Sequence, residues 1–174
     1  MFFRKFPTAL AAAVLFSMAA AAFSPAIPRP LIDMTIPTPS GKSVQLKQYK
    51  GKVMIVMLIA TDCVHCGETV DLLEKIQKDY PPAKFQIVSS SINSKIEVQA
   101  FLTAHKVSFP IGFLDDDSNM KLFDFKRADH PISPMLMFVD KKGMVRVQYH
   151  GDNDNFMKNQ ESNIRLLIDS LMKE

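Results

Sequence analysis

The fold of this chain is decided by residues 53–66, which read VMIVMLIATDCVHC. The eight apolar residues at 53–60 predict a β-strand buried on both faces, as in the centre of an α/β sheet. Thr61 and Asp62 follow the strand, and both are favourable helix-capping residues that predict a helix start next to the cysteines. Cys63 and Cys66 are the two cysteines of the chain, so both thiols are expected at one strand-to-helix turn.

Strand-like and helix-like stretches alternate after this turn. Apolar positions at helical spacing predict helices over 64–80, 94–105, 117–123 and 156–172. In the second of these, Ile96, Val98 and Phe101 are expected to face the core. Apolar runs predict strands at 85–88, 109–113, 135–139 and 144–149, the last two joined by a turn at 140–143. This order predicts an α/β fold, a central mixed β-sheet with helices on both faces.

The first 24 residues form a segment of their own. Arg4 and Lys5 precede an uncharged stretch at 6–23, which contains small residues at 20–22. This pattern predicts a signal peptide (1–24), and an uncleaved N-terminal membrane anchor is the alternative. The prolines within 25–42 predict an extended lead-in without a helix. The folded domain is therefore expected over 43–174.

The length and net charge of the chain argue against some classes of function. The chain has 174 residues and a formal net charge of +3, to which Arg4 and Lys5 of the predicted signal contribute. So small a charge gives no basis for a nucleic-acid surface, and no nucleic acid partner is expected. A domain of about 150 residues buries enough apolar surface to fold without disulfides. The cysteines are therefore expected to serve chemistry, in a compartment where disulfides can form if the chain is exported.

The spacing CVHC at a helix start predicts a redox-active dithiol. A helix N-terminus stabilises a thiolate, so Cys63 is predicted to be the nucleophile. Cys66, one turn inside the helix, is predicted to be the resolving thiol. His65 is expected to place a hydrogen bond or a positive charge near the Cys63 sulfur, and so to raise the reduction potential above that of thioredoxin. A zinc half-site is the alternative, although the sequence offers no second ligand pair at suitable spacing.

The chain from Ser43 onward resembles the TlpA/ResA-like branch of the thioredoxin superfamily, within the redoxin group. The resemblance is carried by QLKQYKGKV at 45–53, ATDCVHC at 60–66 and SPMLMFVDKKG at 133–143. It implies a thioredoxin-like three-layer sandwich. It also implies that Pro134 is cis and faces the dithiol, and that the Ser133 backbone pairs with an extended substrate.

The chain departs from these relatives at two positions. Asp62 stands where they usually carry Trp, and Met57 stands where thioredoxins carry a buried acid. The charge of Asp62 would oppose thiolate formation at Cys63, but this carboxylate could equally cap the helix or accept a proton. Glu68 is the second candidate for proton transfer, to or from Cys66, and a solvated first-turn carboxylate is the alternative for it.

These observations predict an exported, periplasmic or extracytoplasmic thiol–disulfide oxidoreductase that acts on protein thiols and disulfides and needs no cofactor. A monomer with a separate redox-partner protein is expected, and residues 1–24 could tether it to a membrane. The direction of electron flow and the client stay open. The alternative is a copper-delivery protein similar to SCO-type chaperones, with Cys63, Cys66 and His130 as ligands. Peroxidase activity is not expected, because Val56 and Ala60 stand where peroxiredoxins carry Pro and Thr.

Overall fold

A computed structural model describes residues 27–130 and 132–174 of the protein, so the predicted signal peptide lies outside the described residues. The described strands are β1 (Arg29–Pro30), β2 (Thr35–Pro37), β3 (Ser43–Gln45), β4 (Val53–Ile59), β5 (Phe85–Ser91), β6 (Ile111–Phe113), β7 (Met135–Val139) and β8 (Met144–Tyr149). The described helices are α1 (Val64–Asp79), α2 (Lys95–Ala104), α3 (Asp116–Phe123), α4 (Asp154–Met157) and α5 (Gln160–Lys173). None of these helices is long and apolar enough to cross a membrane.

The central sheet is mixed, as the sequence predicts. Its strand order is β1-β8-β7-β4-β5-β6, with β4, β5 and β6 parallel and with β7 antiparallel to β4. Strands β7 and β8 form the expected antiparallel hairpin. Its turn places Gly143 at φ 83°, in the left-handed region that favours glycine. Strand β4 lies inside the sheet, and the helix that carries the cysteines follows it directly.

All seven residues of strand β4 are buried, so both faces of the strand are covered. Its alternate residues 53, 55, 57 and 59 belong to a core shared with α1, α2, α4 and α5. The residues between them belong to a second core, shared with α3 and with the hairpin of β2 and β3. Helices therefore lie on both faces of the sheet, and the predicted three-layer α/β architecture is confirmed.

The lead-in predicted over 25–42 is extended where it is described, but it is joined to the domain. Strand β1 pairs with β8, placing Arg29 opposite Val145. The Arg29 guanidinium also donates to the Gln148 side chain at 3.1 Å. Ile36 of β2 is fully buried in the second core. The folded unit therefore begins before residue 43.

Two helix predictions need correction. Ile96 is 80% exposed, because Val98 and Phe101 define the inner face of α2 and Ile96 lies across the helix from it. The helix predicted over 156–172 is divided into α4 and α5, because the backbone of Asn159 is not helical (φ −125°, ψ 39°). The apolar residues Ile164, Ile168 and Leu171 of the longer piece, α5, are nevertheless buried.

Candidate active site

Helix α1 begins at the first cysteine rather than at the residues predicted to cap it. Cys63 is the N-cap, and its Sγ accepts a hydrogen bond from the backbone N–H of Cys66 at 3.3 Å. Thr61 and Asp62 lie in the preceding turn, which the Cys63 N–H closes by donating to the Ala60 carbonyl at 3.2 Å. The prediction that Thr61 or Asp62 caps the helix is therefore wrong. The Cys63 sulfur instead occupies the position where a helix stabilises negative charge.

The second cysteine is fully buried on the inner face of α1. Burial, together with a hydrogen bond to Cys63, raises the pKa of the Cys66 thiol to about 12. Cys63, in contrast, is partly exposed. The site therefore combines one thiol that solvent can reach with one that stays buried and protonated near neutral pH.

This difference predicts selective alkylation of the reduced protein. Iodoacetamide reacts with the thiolate, so at about pH 8 we expect it to label Cys63 and to leave Cys66 unmodified. Mass spectrometry of tryptic peptides measures the outcome. A sample unfolded in urea should be labelled at both cysteines, and equal labelling of the two in the folded protein would contradict the assignment.

The Ser133–Pro134 loop meets the exposed thiol. The peptide bond between these two residues is cis, and the Cys63 thiol donates to the Ser133 carbonyl oxygen at 3.8 Å. Gly151, in the turn after β8, supports the loop, because its N–H donates to the Ile132 carbonyl at 2.8 Å. Two segments separated by 70 residues in the sequence are thus brought together at one sulfur atom.

The histidine between the cysteines contacts a carboxylate rather than a thiol. The His65 side chain is 77% exposed, and its Nδ1 lies 3.1 Å from Glu68 Oε2. Within the described residues no hydrogen bond joins His65 to Cys63, so the structure does not show the contact expected to tune the nucleophile. Glu68 likewise pairs with His65, and in the described part of the chain it makes no hydrogen bond to Cys66, to or from which it was expected to transfer a proton.

A groove of about 340 Å³ opens beside Cys63. Asp62 and Glu68, the two carboxylates considered for proton transfer, both line it. It is also lined by residues that the sequence analysis did not select, among them Gly67, Asp71, Phe101 and His105. Gly67 and Asp71 follow Cys63 at helical spacing on α1, but no sequence pattern links Phe101 or His105 to the dithiol, because the end of α2 meets α1 only in the folded chain.

His130 does not line the groove beside Cys63. It lines a separate pocket of about 240 Å³, whose wall includes Ser133 and Met135. Across 27–130 and 132–174, no group of three or more His, Cys, Asp or Glu side chains is arranged to hold a metal ion. Cys63, Cys66 and His130 therefore do not assemble into the three-ligand site that the copper alternative requires.

Residues 27–148 match the model of the AhpC/TSA family. The matched range contains both cysteines, the groove beside them and the Ser133–Pro134 loop. The chain belongs to the AhpC/TSA family. The sheet has the thioredoxin-like arrangement expected from the sequence motifs, and the two cysteines lie where β4 leads into α1.

This AhpC/TSA chain is similar to the thioredoxin-like protein YneN of Bacillus subtilis (strain 168), at 30% identity over 118 residues, or 66% of this chain and 65% of that protein. It is also similar to glutathione peroxidase 7 of Homo sapiens, at 29% identity over 80 residues, or 41% of this chain and 43% of that protein. In each case the match spans less than two thirds of the relative's length.

A solved structure shows the same fold. The chain superposes on a thiol:disulfide interchange protein of the thioredoxin family from Chlorobium tepidum TLS with a TM-score of 0.70, at 18% identity, covering 86% of this chain and 99% of that one. The similarity shows a thioredoxin-like α/β fold, in agreement with the layers and the strand order described above.

Proposed function

We propose that this protein is a thiol–disulfide oxidoreductase that exchanges disulfides with other proteins through Cys63 and Cys66. The pairing of a partly exposed thiol at a helix N-cap with a buried thiol one turn inside carries the proposal. Dithiol exchange needs this division, because the accessible sulfur attacks and the protected sulfur resolves. Membership of the AhpC/TSA family and the likeness to thioredoxin-like protein YneN support the same chemistry.

The reaction proceeds in two steps, described here in the reducing direction. The Cys63 thiolate attacks one sulfur of a client disulfide, the client S–S bond breaks, and the second client sulfur leaves with the electron pair and takes up a proton. Cys66 then loses its proton and attacks the Cys63 sulfur, so that the first client sulfur leaves as a thiol. The client gains two electrons and the Cys63–Cys66 pair loses them. The same steps in reverse oxidise a client dithiol.

The surface around the dithiol supports a protein client. Large apolar side chains are exposed there: Val64 is 73% exposed, Ile92 48% and Ile132 50%. Val64 lines the groove beside Cys63, Ile92 lines the pocket that shares Ser133, and Ile132 precedes Ser133 in the chain. Apolar surface of this kind favours contact with another protein, and we expect an extended segment of that protein to pair with the Ser133 backbone.

Trapping of the mixed disulfide tests the proposal. With Cys66→Ser, the attack at Cys63 is expected to proceed while resolution stops, so a client such as insulin should stay covalently attached. A non-reducing gel measures the adduct, which dithiothreitol should release. The double variant Cys63→Ser/Cys66→Ser is the matched control and should form none. A folded Cys66→Ser protein that captures no disulfide client would refute the proposed function.

We also propose that the protein is exported through the general secretory route and acts outside the cytoplasm. The support is the sequence of residues 1–24, with two basic residues before an uncharged, alanine-rich stretch. N-terminal mass analysis of the protein recovered from cell fractions tests this. A mature chain beginning near residue 23 in a soluble extracytoplasmic fraction is expected. An intact N-terminus in the membrane fraction would indicate an anchor instead.

A further inference from the structure

His105 lies in the groove that begins at Cys63. It is the C-cap residue of α2, and its side chain is 24% exposed. Its Nδ1 lies 2.9 Å from Asp71 Oδ1 on α1. When Nδ1 donates its hydrogen to this carboxylate, Nε2 becomes the nitrogen available for proton transfer. Asp71 therefore determines which side of the imidazole can act.

Two further contacts orient the imidazole ring. Phe101 stacks on it, with ring centroids 4.3 Å apart and an interplanar angle of 28°. The Nε2 edge lies over Gly67, where a Cβ atom would come within 2.9 Å of His105 Cε1 and 3.0 Å of Nε2. The ring thus occupies the space that a side chain at position 67 would fill. Glycine at this position lets the Nε2 edge approach the first turn of α1.

The groove offers few other groups for this role. The other titratable residues that line it are Asp62, Cys63, Glu68 and Asp71. Asp71 is engaged by His105 and Glu68 by His65, while no hydrogen bond of His105 Nε2 is found in the described part of the chain. Neither Lys nor Arg lines the groove, so His105 is its one nitrogen base.

We propose that His105 transfers the proton of the client sulfur that leaves when Cys63 attacks, an inference that rests on the proposed function. As the client S–S bond breaks, its electron pair goes to the departing sulfur and the proton on His105 Nε2 goes to the same sulfur. A neutral imidazole and a client thiol result. In the oxidising direction His105 Nε2 accepts the proton from the client thiol that attacks.

The spacing of the groove suits this step. Residues four apart on a helix lie roughly 6 Å from each other on one face, which places Gly67, and the imidazole over it, one turn from Cys63. A sulfur displaced in line from the attacked sulfur lies about 4 Å from the Cys63 sulfur, since each S–S bond is about 2 Å long. A sulfur displaced along the groove, which Cys63, Gly67 and His105 all line, therefore comes within reach of His105 Nε2.

Two disulfides whose leaving groups differ test the proposal in single-turnover reactions of the reduced protein. Glutathione disulfide releases an alkyl thiolate, which needs a proton, whereas Ellman's reagent releases an aromatic thiolate that is stable without one. His105→Gln is expected to slow the reaction with glutathione disulfide by about 100-fold and to leave the reaction with Ellman's reagent within about twofold. Alkylation of Cys63 by iodoacetamide should keep its wild-type rate.

Further variants separate the possible outcomes. Asp71→Asn removes the carboxylate that orients His105. It should slow the reaction with glutathione disulfide by about 10-fold and leave the reaction with Ellman's reagent unchanged. Lys106→Gln, next to His105 but outside the groove, is the matched control and should behave as wild type. Equal slowing with both disulfides, or no slowing in either variant, would overturn the role of His105 while the proposed function stands. A wild-type protein that reacts with neither disulfide would refute the proposed function itself.

Discussion

Cys63→Ser is expected to reduce disulfide exchange to the rate measured without protein. The substitution removes the sulfur at the helix N-cap that solvent can reach, and the buried Cys66 thiol cannot replace it. Burial raises the pKa of Cys66 to about 12, so this thiol supplies almost no thiolate at neutral pH. In other enzymes, removal of the catalytic nucleophile lowers kcat by up to about 10⁶-fold. The rate of the uncatalysed reaction therefore limits how large a loss the assay can measure. Turbidity during insulin reduction by dithiothreitol measures the rate.

The matched comparison for Cys63→Ser is Cys66→Ser, which keeps the nucleophile. Both variants should lack turnover, but only Cys66→Ser should consume one equivalent of a disulfide substrate. Circular dichroism shows whether each variant is folded, and both should be, because neither cysteine forms a structural disulfide. Turnover retained by a folded Cys63→Ser protein would assign the nucleophile to another residue.

Gly151→Ala is expected to lower both stability and exchange activity, because a methyl group at this position has no space. A Cβ on Gly151 would lie 2.6 Å from the carbonyl oxygen of Ser133 and 3.1 Å from the nitrogen of Pro134. Both atoms belong to the backbone, so the loop must move as a unit. Overpacking of this kind costs about 1–3 kcal/mol. The free energy of unfolding in urea measures that loss.

The same movement should reach the dithiol. The carbonyl that the methyl group would displace is the one that accepts from the Cys63 thiol at 3.8 Å. Exchange with a protein disulfide should therefore fall more than exchange with a small disulfide, which needs no docking to the Ser133 backbone. Asp152→Ala, at the exposed neighbour of Gly151, is the control. Unchanged unfolding and unchanged insulin reduction in Gly151→Ala would show that the loop can yield without cost.

Local patterns predicted the parts of the fold that neighbouring residues specify. The apolar run at 53–60 predicts a strand covered on both faces, and β4 is such a strand because each face meets its own core. Cys63 and Cys66 lie between this strand and the stretch of helical spacing that follows it, so their position at the helix start could be predicted from neighbouring residues. The choice of cap did not follow, because the turn closed by the Cys63 N–H places that residue, rather than Asp62, at the cap position.

Distant contacts could not be predicted from the same patterns. His105 and Asp71 are 34 residues apart, the first at the end of α2 and the second on α1, so nothing in their spacing relates them. The pairing of β1 with β8 joins segments more than 100 residues apart, and a two-residue strand carries no periodic signal. Ile96, near the start of α2, is exposed to solvent, whereas Val98 is buried. Both residues are apolar, so an apolar pattern alone does not distinguish them.

The unequal depth of the two sulfurs also bears on oxidative damage. An oxidant in solution reacts first with Cys63, because Cys63 is partly exposed and Cys66 is buried. The product is a sulfenic acid at Cys63. The Cys66 thiol is beside it, close enough for its own backbone N–H to bond the Cys63 sulfur at 3.3 Å. Condensation of the two releases water and gives the Cys63–Cys66 disulfide, the same species that the exchange cycle produces. Oxidant attack therefore leads to a state that a reductant can restore, before the irreversible sulfinic acid forms.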